Sequence, residues 1–271
     1  MNGRRVECYF FLVVHASAIE TFQTEGAVLL RGLLDAEWIQ MLRNVTPEIL
    51  GAAYNPNERV AVGAGEEVEK PAVRSRDGLW RGCEPFARLL YQSPLGDTAA
   101  RLMQSSTARL YEDLLLYKEA GAPAGESWHR DSPHWPLKGN QLSSTWFSLE
   151  TVTSDTGAMR FVAGSHLDSD ALVNAASLGV STSEIKGRRI ITLDAEPGDV
   201  VAFHPRAIHS AYGSAPDRPR RSFTIRFMGD DIRWRPRTAM YHAWMRDCGL
   251  EKGAVLDHPW FPILGRTTVL V

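Results

Sequence analysis

Apolar residues recur at spacings of three and four through residues 16–49, at Ile19 and Phe22 and again at Trp38, Met41 and Leu42. That period follows the turn of an α-helix and predicts amphipathic helices. Asp35, just ahead of Ala36-Glu37-Trp38, is the expected N-cap of the second of them. Between them "GAVLLRGLL" is an apolar run with Gly26 and Gly32 at its ends, and it reads as a short strand. Over residues 52–79 the pattern gives way to Gly, Pro, Asn and charge, with "GAGEEVEK" as the extreme. A long solvated loop is expected there, in a position that would permit a lid. Helical spacing returns over residues 85–107.

From about residue 108 the texture changes to short apolar runs divided by turn residues. The runs are "RLYEDLLLYKE", "SSTWFSLETV", "GAMRFVAGSH", "RRIITLD", "DVVAFHP" and "RSFTIRFMG"; the turns between them include "AGAPAG", "SDTG", "EPGD" and "SAPDRP". Strands at this spacing with no helix alternating between them predict an antiparallel sandwich or barrel. The class expected is α+β, mainly β. One domain over residues 1–271 is divided into a helical N-terminal part (about 16–107), a β core (about 108–235) and a C-terminal extension (about 236–271).

Composition narrows the partners. A net charge of −2 gives no electrostatic reason to expect nucleic acid or an anionic membrane. The three cysteines, Cys8, Cys83 and Cys248, are odd in number and far apart. That spacing favours a reducing compartment, so a cytoplasmic location is expected. "RRVECYFFLVVHASA" loosely imitates a secretory signal, but its apolar run Tyr9–Val14 is shorter than the roughly 7–15 residues required and follows Glu7. No run approaches the roughly 18 apolar residues of a membrane span.

The chemistry is concentrated in two blocks. In "SWHRDSPHW" His129 and Asp131 are two apart, so in an extended segment both side chains reach the same face. Alone, that pattern also describes a solvated turn. The second block, "EPGDVVAFHPRAIHSAYG", holds His204 and His209, either of which could add an imidazole. Two histidines and one carboxylate with open positions are the donor set of non-haem Fe(II) oxygenases. A 2-oxo acid chelating such an iron buries its distal carboxylate, which then needs a cation. An arginine fork suits that task. "DRPRRSFTIRF" offers Arg220, eleven residues after His209, with Arg221 beside it on the opposite face of a strand.

"WHRD", "GAMRFVAGSH", "PGDVVAFHPRAIHSA" and "RPRRSFTIRF", in this order, together resemble the phytanoyl-CoA dioxygenase family of Fe(II)- and 2-oxoglutarate-dependent oxygenases. "FQTEGAVLLRGLLDAEWI" is similar to that family's opening segment, and the likeness extends over roughly residues 20–235. The resemblance implies a double-stranded β-helix, a cupin-like jelly roll with N-terminal flanking helices. It implies iron ligation by His129, Asp131 and His209, and Arg220 as the clamp on the 2-oxoglutarate carboxylate. It also places Trp146 and Leu114 on the wall of the co-substrate pocket. The chain departs from the family at Ala211, where a small hydroxyl residue is common; Ser143, Ser144 or Thr145 would have to supply that hydrogen bond.

The remaining histidines have simpler readings. His204 is expected to make a structural hydrogen bond, His166 to sit at a strand end, and His15, His242 and His258 to be structural or superficial. His134 and Trp135 follow the first block and are candidate substrate contacts; a packed turn explains Trp135 equally well. Arg226 is read as a surface or substrate-side residue. The expected activity is hydroxylation of a small molecule using Fe(II), 2-oxoglutarate and O₂, in a monomer or homodimer. The competing reading is a catalytically silent cupin-like barrel that binds a metal or ligand as a sensor or scaffold. "DDIRWRPRTAMYHAW" and "DHPWFPILG" would cover a cavity mouth or a dimer surface.

Overall fold

The computed structural model describes residues 14–51, 59–61, 73–122, 126–169, 180–236 and 248–267. Helix α1 (Ala16–Glu25) stops at Gly26, whose left-handed backbone (φ 81°) turns the chain into strand β1 (Ala27–Leu30). Asp35 Oδ1 accepts hydrogen bonds from the Glu37 and Trp38 backbone N–H groups at 3.0 and 3.1 Å, and helix α2 (Ala36–Gly51) starts there. Within the stretch expected to be loop lie strands β2 (Arg59–Ala61) and β3 (Val73–Asp77). Their sequences carry little apolar signal; β3 forms by pairing with a long neighbouring strand, β2 by pairing with β3, and each pairing satisfies backbone groups. "GAGEEVEK" and its expected lid role lie outside the described residues. The helical stretch at 85–107 is two helices, α3 (Glu84–Gln92) and α4 (Leu95–Leu102). Pro94 separates them, and Ser93 before it is extended.

The β core contains β4 (Thr107–Lys118), β5 (Glu126–His129), β6 (Leu137–Lys138), β7 (Leu142–Ser148), β8 (Met159–Val162), β9 (Ile190–Leu193), β10 (Val200–Phe203), β11 (His209–Ala211), β12 (Arg220–Met228) and β13 (Arg233–Trp234). Helix α5 (Thr182–Ile185) precedes β9, and β14 (Ile263–Arg266) lies in the C-terminal extension. The larger sheet runs β1-β10-β7-β12-β4-β3-β2, with β14 also on β4; the smaller runs β5-β11-β8-β9. Every pairing is antiparallel. This is the expected jelly roll. Strands β1, β2 and β3 join the larger sheet, so the N-terminal part is not helices alone.

Two cores follow from the alternation of strand residues. Phe223, Ile225 and Phe227 of β12 face the helices, where Phe223 stacks on Phe86 and Phe147. Trp146, Val201, Phe203, Met159, Phe161 and Ala211 come from both sheets and fill the space between them. The intervening β12 residues, Arg220, Ser222, Thr224 and Arg226, lie on that inner face. Buried polar residues on an inner face are uncommon and mark it as more than packing. The C-terminal extension closes against the sheet: a Cβ on Gly265 would lie 2.0 Å from the Gly96 carbonyl carbon, so α4 and β14 meet backbone to backbone.

Candidate metal centre

Strand pairing makes neighbours of residues eighty positions apart. His129 on β5 and His209 on β11 are direct cross-strand partners, and their ring centroids are 4.2 Å apart. Asp131 follows β5, where its backbone N–H donates to Pro205 O at 3.0 Å and ties the two blocks together. Its Oδ1 lies 3.7 Å from His129 Nε2 and 3.9 Å from His209 Nε2. One donor atom from each residue falls within 4.8 Å of the other two. His209 Nδ1 is 2.9 Å from Ala207 O; as the donor there it leaves the Nε2 lone pair facing Asp131.

Burial pushes the Asp131 carboxyl up, but the Arg226 guanidinium, His209 and His129 outweigh that and hold it below the usual carboxylate range. Arg226 donates to Asp131 Oδ2 at 3.1 Å and pairs with Glu112, its cross-strand partner on β4. Of the two places expected for Arg226, the surface one does not hold: its side chain is 17% exposed and lies on the inner face against Asp131. The period-two relation of Arg226 to Arg220 was the available signal, because both must share one face of β12. Glu112 was missed for want of any pairing information.

Arg220 is 2% exposed, donates to Gly157 O at 2.5 Å, and has its guanidinium carbon 5.7 Å from the centroid of the Trp146 ring. A Cβ on Gly157, whose φ is 109°, would lie 2.8 Å from Arg220 Nη1, so glycine makes room for the guanidinium. Arg221 points the other way into a two-contact pair with Glu150, at 2.5 and 2.7 Å. Leu114, Thr224 and Trp146 form one row across β4, β12 and β7, between the Arg220 row and the Arg226 row. Ser144 is the partner of Arg226 on β7, and its buried hydroxyl has no hydrogen-bond partner among the described residues. Thr145 Oγ1 bonds Ile225 O instead. The Ser143 hydroxyl is likewise buried without a partner among the described residues, but Ser143 pairs with Phe227, whereas Ser144 pairs with Arg226.

The other candidates separate cleanly. The His134 side chain lies outside the described residues, as does His242. Trp135 is buried in a cluster with Tyr111, Leu137 and Phe261, 4.8 Å from the Tyr111 ring, and it supports Arg226 at 5.2 Å. It is a packed residue that reaches the centre through that guanidinium. His204 is buried and pushed down to about 3, by burial above all. Its Nε2 is 2.9 Å from Asn140 O and its Nδ1 accepts from Arg206 N–H at 3.1 Å. His166 Nε2 is 3.1 Å from Gln23 O. Neither belongs to the triad. His15 stands at the N-cap of α1, and His258 Nδ1 accepts from Trp260 N–H. Within the extension, Leu256 and Phe261 join the Tyr111–Trp135 cluster.

The donor set fits a divalent ion. Donor-to-metal distances of about 2 Å put neighbouring donors roughly 3 Å apart, so shifts of less than about an ångström close the present spacing. Two imidazoles and one carboxylate are the facial donor set of ferrous oxygenases. Fold and donors together define a jelly-roll, non-haem iron protein.

The chain belongs to the phytanoyl-CoA dioxygenase family of iron- and 2-oxoglutarate-dependent oxygenases: that family's model matches residues 22–222, about three quarters of its length. Curated relatives include a "Probable phytanoyl-CoA dioxygenase" of Caenorhabditis elegans, 25% identical over 38% of this chain and 36% of the relative. "Dioxygenase lolE1" of Epichloe uncinata is 24% identical over 48% of this chain and 53% of the relative. The matched stretch therefore spans about half or less of these relatives' length. Among solved structures, the α-ketoglutarate-dependent epimerase SnoN from nogalamycin biosynthesis superposes with a TM-score of 0.75 at 25% identity, covering 93% of this chain and 96% of SnoN. The carbocyclase SnoK from the same biosynthesis gives 0.78 at 21% identity, covering 94% and 98%. The SnoK likeness concerns the fold.

Proposed function

We propose that the protein is an Fe(II)- and 2-oxoglutarate-dependent dioxygenase that hydroxylates an unactivated C–H bond of a small molecule. The observation that carries this reading is the convergence of His129, Asp131 and His209 on one point between the sheets. Those three side chains would hold the iron. Arg220 would clamp the distal carboxylate of 2-oxoglutarate, against Trp146 and with Leu114 on the facing strand. When bound, iron and 2-oxoglutarate supply, with O₂, an oxidation coupled to release of succinate and CO₂. The protein's share is to hold the donors, pair the buried carboxylate and exclude water.

Asp131 bears on the outcome. A glycine or alanine there would open a position for halide, so its carboxylate favours hydroxylation over halogenation. The neighbours named carbocyclase and epimerase illustrate that one fold supports several oxidative outcomes. The cysteine usage supports a cytoplasmic protein, monomeric or homodimeric, and no described helix is long and apolar enough to cross a membrane. The test is a substrate screen scored by succinate release, with product mass as second readout. Gain of one oxygen atom is expected. An isomer or a dehydrogenated product would replace hydroxylation by another oxidation, and no substrate-coupled succinate would favour the silent barrel.

A further inference from the structure

We infer that Arg226 is a positioning residue for the metal centre: with Glu112 it fixes which oxygen of Asp131 is offered to the ion. The inference rests on the reading of His129, Asp131 and His209 as ligands and adds a fourth and fifth residue to that centre.

The argument begins with strand geometry. Arg226 and Glu112 are direct partners across β12 and β4, and the register shifts immediately beyond them. That irregularity admits Tyr111 as an extra residue on β4 and turns its ring into the cluster with Trp135. Bulges commonly re-aim side chains beside active sites. Here the guanidinium is held from two sides: Glu112 pairs with Nη1, and the Trp135 ring lies 5.2 Å from the guanidinium carbon. Nη2 is then left aimed at Asp131 Oδ2, 3.1 Å away.

The consequence falls on the other oxygen. With Oδ2 bound, Oδ1 is the oxygen facing both imidazoles, at 3.7 and 3.9 Å. A carboxylate fixed in this way offers one oxygen and leaves the remaining positions to the co-substrates. A carboxylate free to rotate can present both. An arginine is needed because one planar fork must reach two carboxylates at once; a lysine ammonium serves one well.

The test is an anaerobic calorimetric titration of full-length protein with Co(II), alongside the visible spectrum of the cobalt protein. Wild type, His129→Ala, Arg226→Met, Arg226→Lys and the double variant Arg226→Met with Glu112→Leu are compared. The double variant removes the carboxylate that the single change would strand, and circular dichroism confirms folding. Loss of an outer partner of this kind is expected to weaken metal binding about 10- to 100-fold in both methionine variants. A changed cobalt spectrum and partial recovery in Arg226→Lys should accompany it. Affinity within about twofold of wild type in the folded double variant, with an unchanged spectrum, overturns the inference while His129→Ala still abolishes binding. Failure of the wild type to bind would instead remove the proposed function.

Discussion

Among the described residues two pairs of histidines lie ring against ring, and only one of them joins a carboxylate in a metal-binding triad. His129 and His209 have ring centroids 4.2 Å apart; His166 and His204 are 5.4 Å apart. In the first pair both Nε2 atoms face a single carboxylate oxygen. In the second pair both His204 nitrogens and His166 Nε2 are engaged by backbone at Asn140, Arg206 and Gln23, and burial keeps His204 neutral. Proximity of imidazoles is thus a poor guide; the direction of their lone pairs and a shared anion decide. The arginines of β12 repeat the lesson. Arg221 is matched by Glu150 outside, Arg226 by Glu112 and Asp131 inside, and Arg220, the proposed 2-oxoglutarate clamp, lies against an indole and a carbonyl.

The largest expected effect breaks the first pair. Asp131→Ala should weaken divalent metal binding by more than about 100-fold, beyond the range for outer partners, and abolish substrate-coupled succinate; calorimetry and a succinate assay check it. Next, Arg220→Ala should raise the 2-oxoglutarate dissociation constant by roughly 30-fold or more, the cost of truncating one side of a buried charge pair. Arg221→Ala should leave that constant within about twofold. The reverse result would move the clamp by one residue.

The smallest effect concerns the second pair. His204→Gln should leave metal affinity unchanged and cost about 1–3 kcal/mol of stability through its lost hydrogen bonds. Its pH signature has a definite sign. The folded-state value of about 3 lies below the ordinary 6.5, so the unfolded chain takes up the proton first. The neutral histidine's contribution is complete above about pH 6.5 and is lost as pH falls toward 3. Denaturation midpoints across that window should slope less in His204→Gln than in wild type. Equal slopes would reassign the acid sensitivity to other groups.

Much of this was legible in the chain. The caps and apolar periods placed α1, β1 and α2, because local backbone chemistry decides them. The spacing from His209 to Arg220, with the family resemblance, singled out that arginine; the six-residue step from it to Arg226 also implies a shared strand face, which the surface or substrate-side expectation for Arg226 does not use. What could not be read was pairing. Strand β3 carries Arg74, Ser75 and Arg76 rather than an apolar run, and it exists because β4 extends far enough to pair with it. Glu112 meets Arg226 only through the register of β4 and β12. The residue pattern alone left His204 and His209 open; the family resemblance implied His209, and the pairing of β5 with β11 sets His209 beside His129.

The most direct measurement is the visible absorption of the anaerobic protein titrated with Fe(II) and 2-oxoglutarate. The account predicts a weak charge-transfer band that saturates at one iron per chain and is absent from Asp131→Ala. A wild-type protein that gives no such band, or a variant that gives the same one, would contradict it.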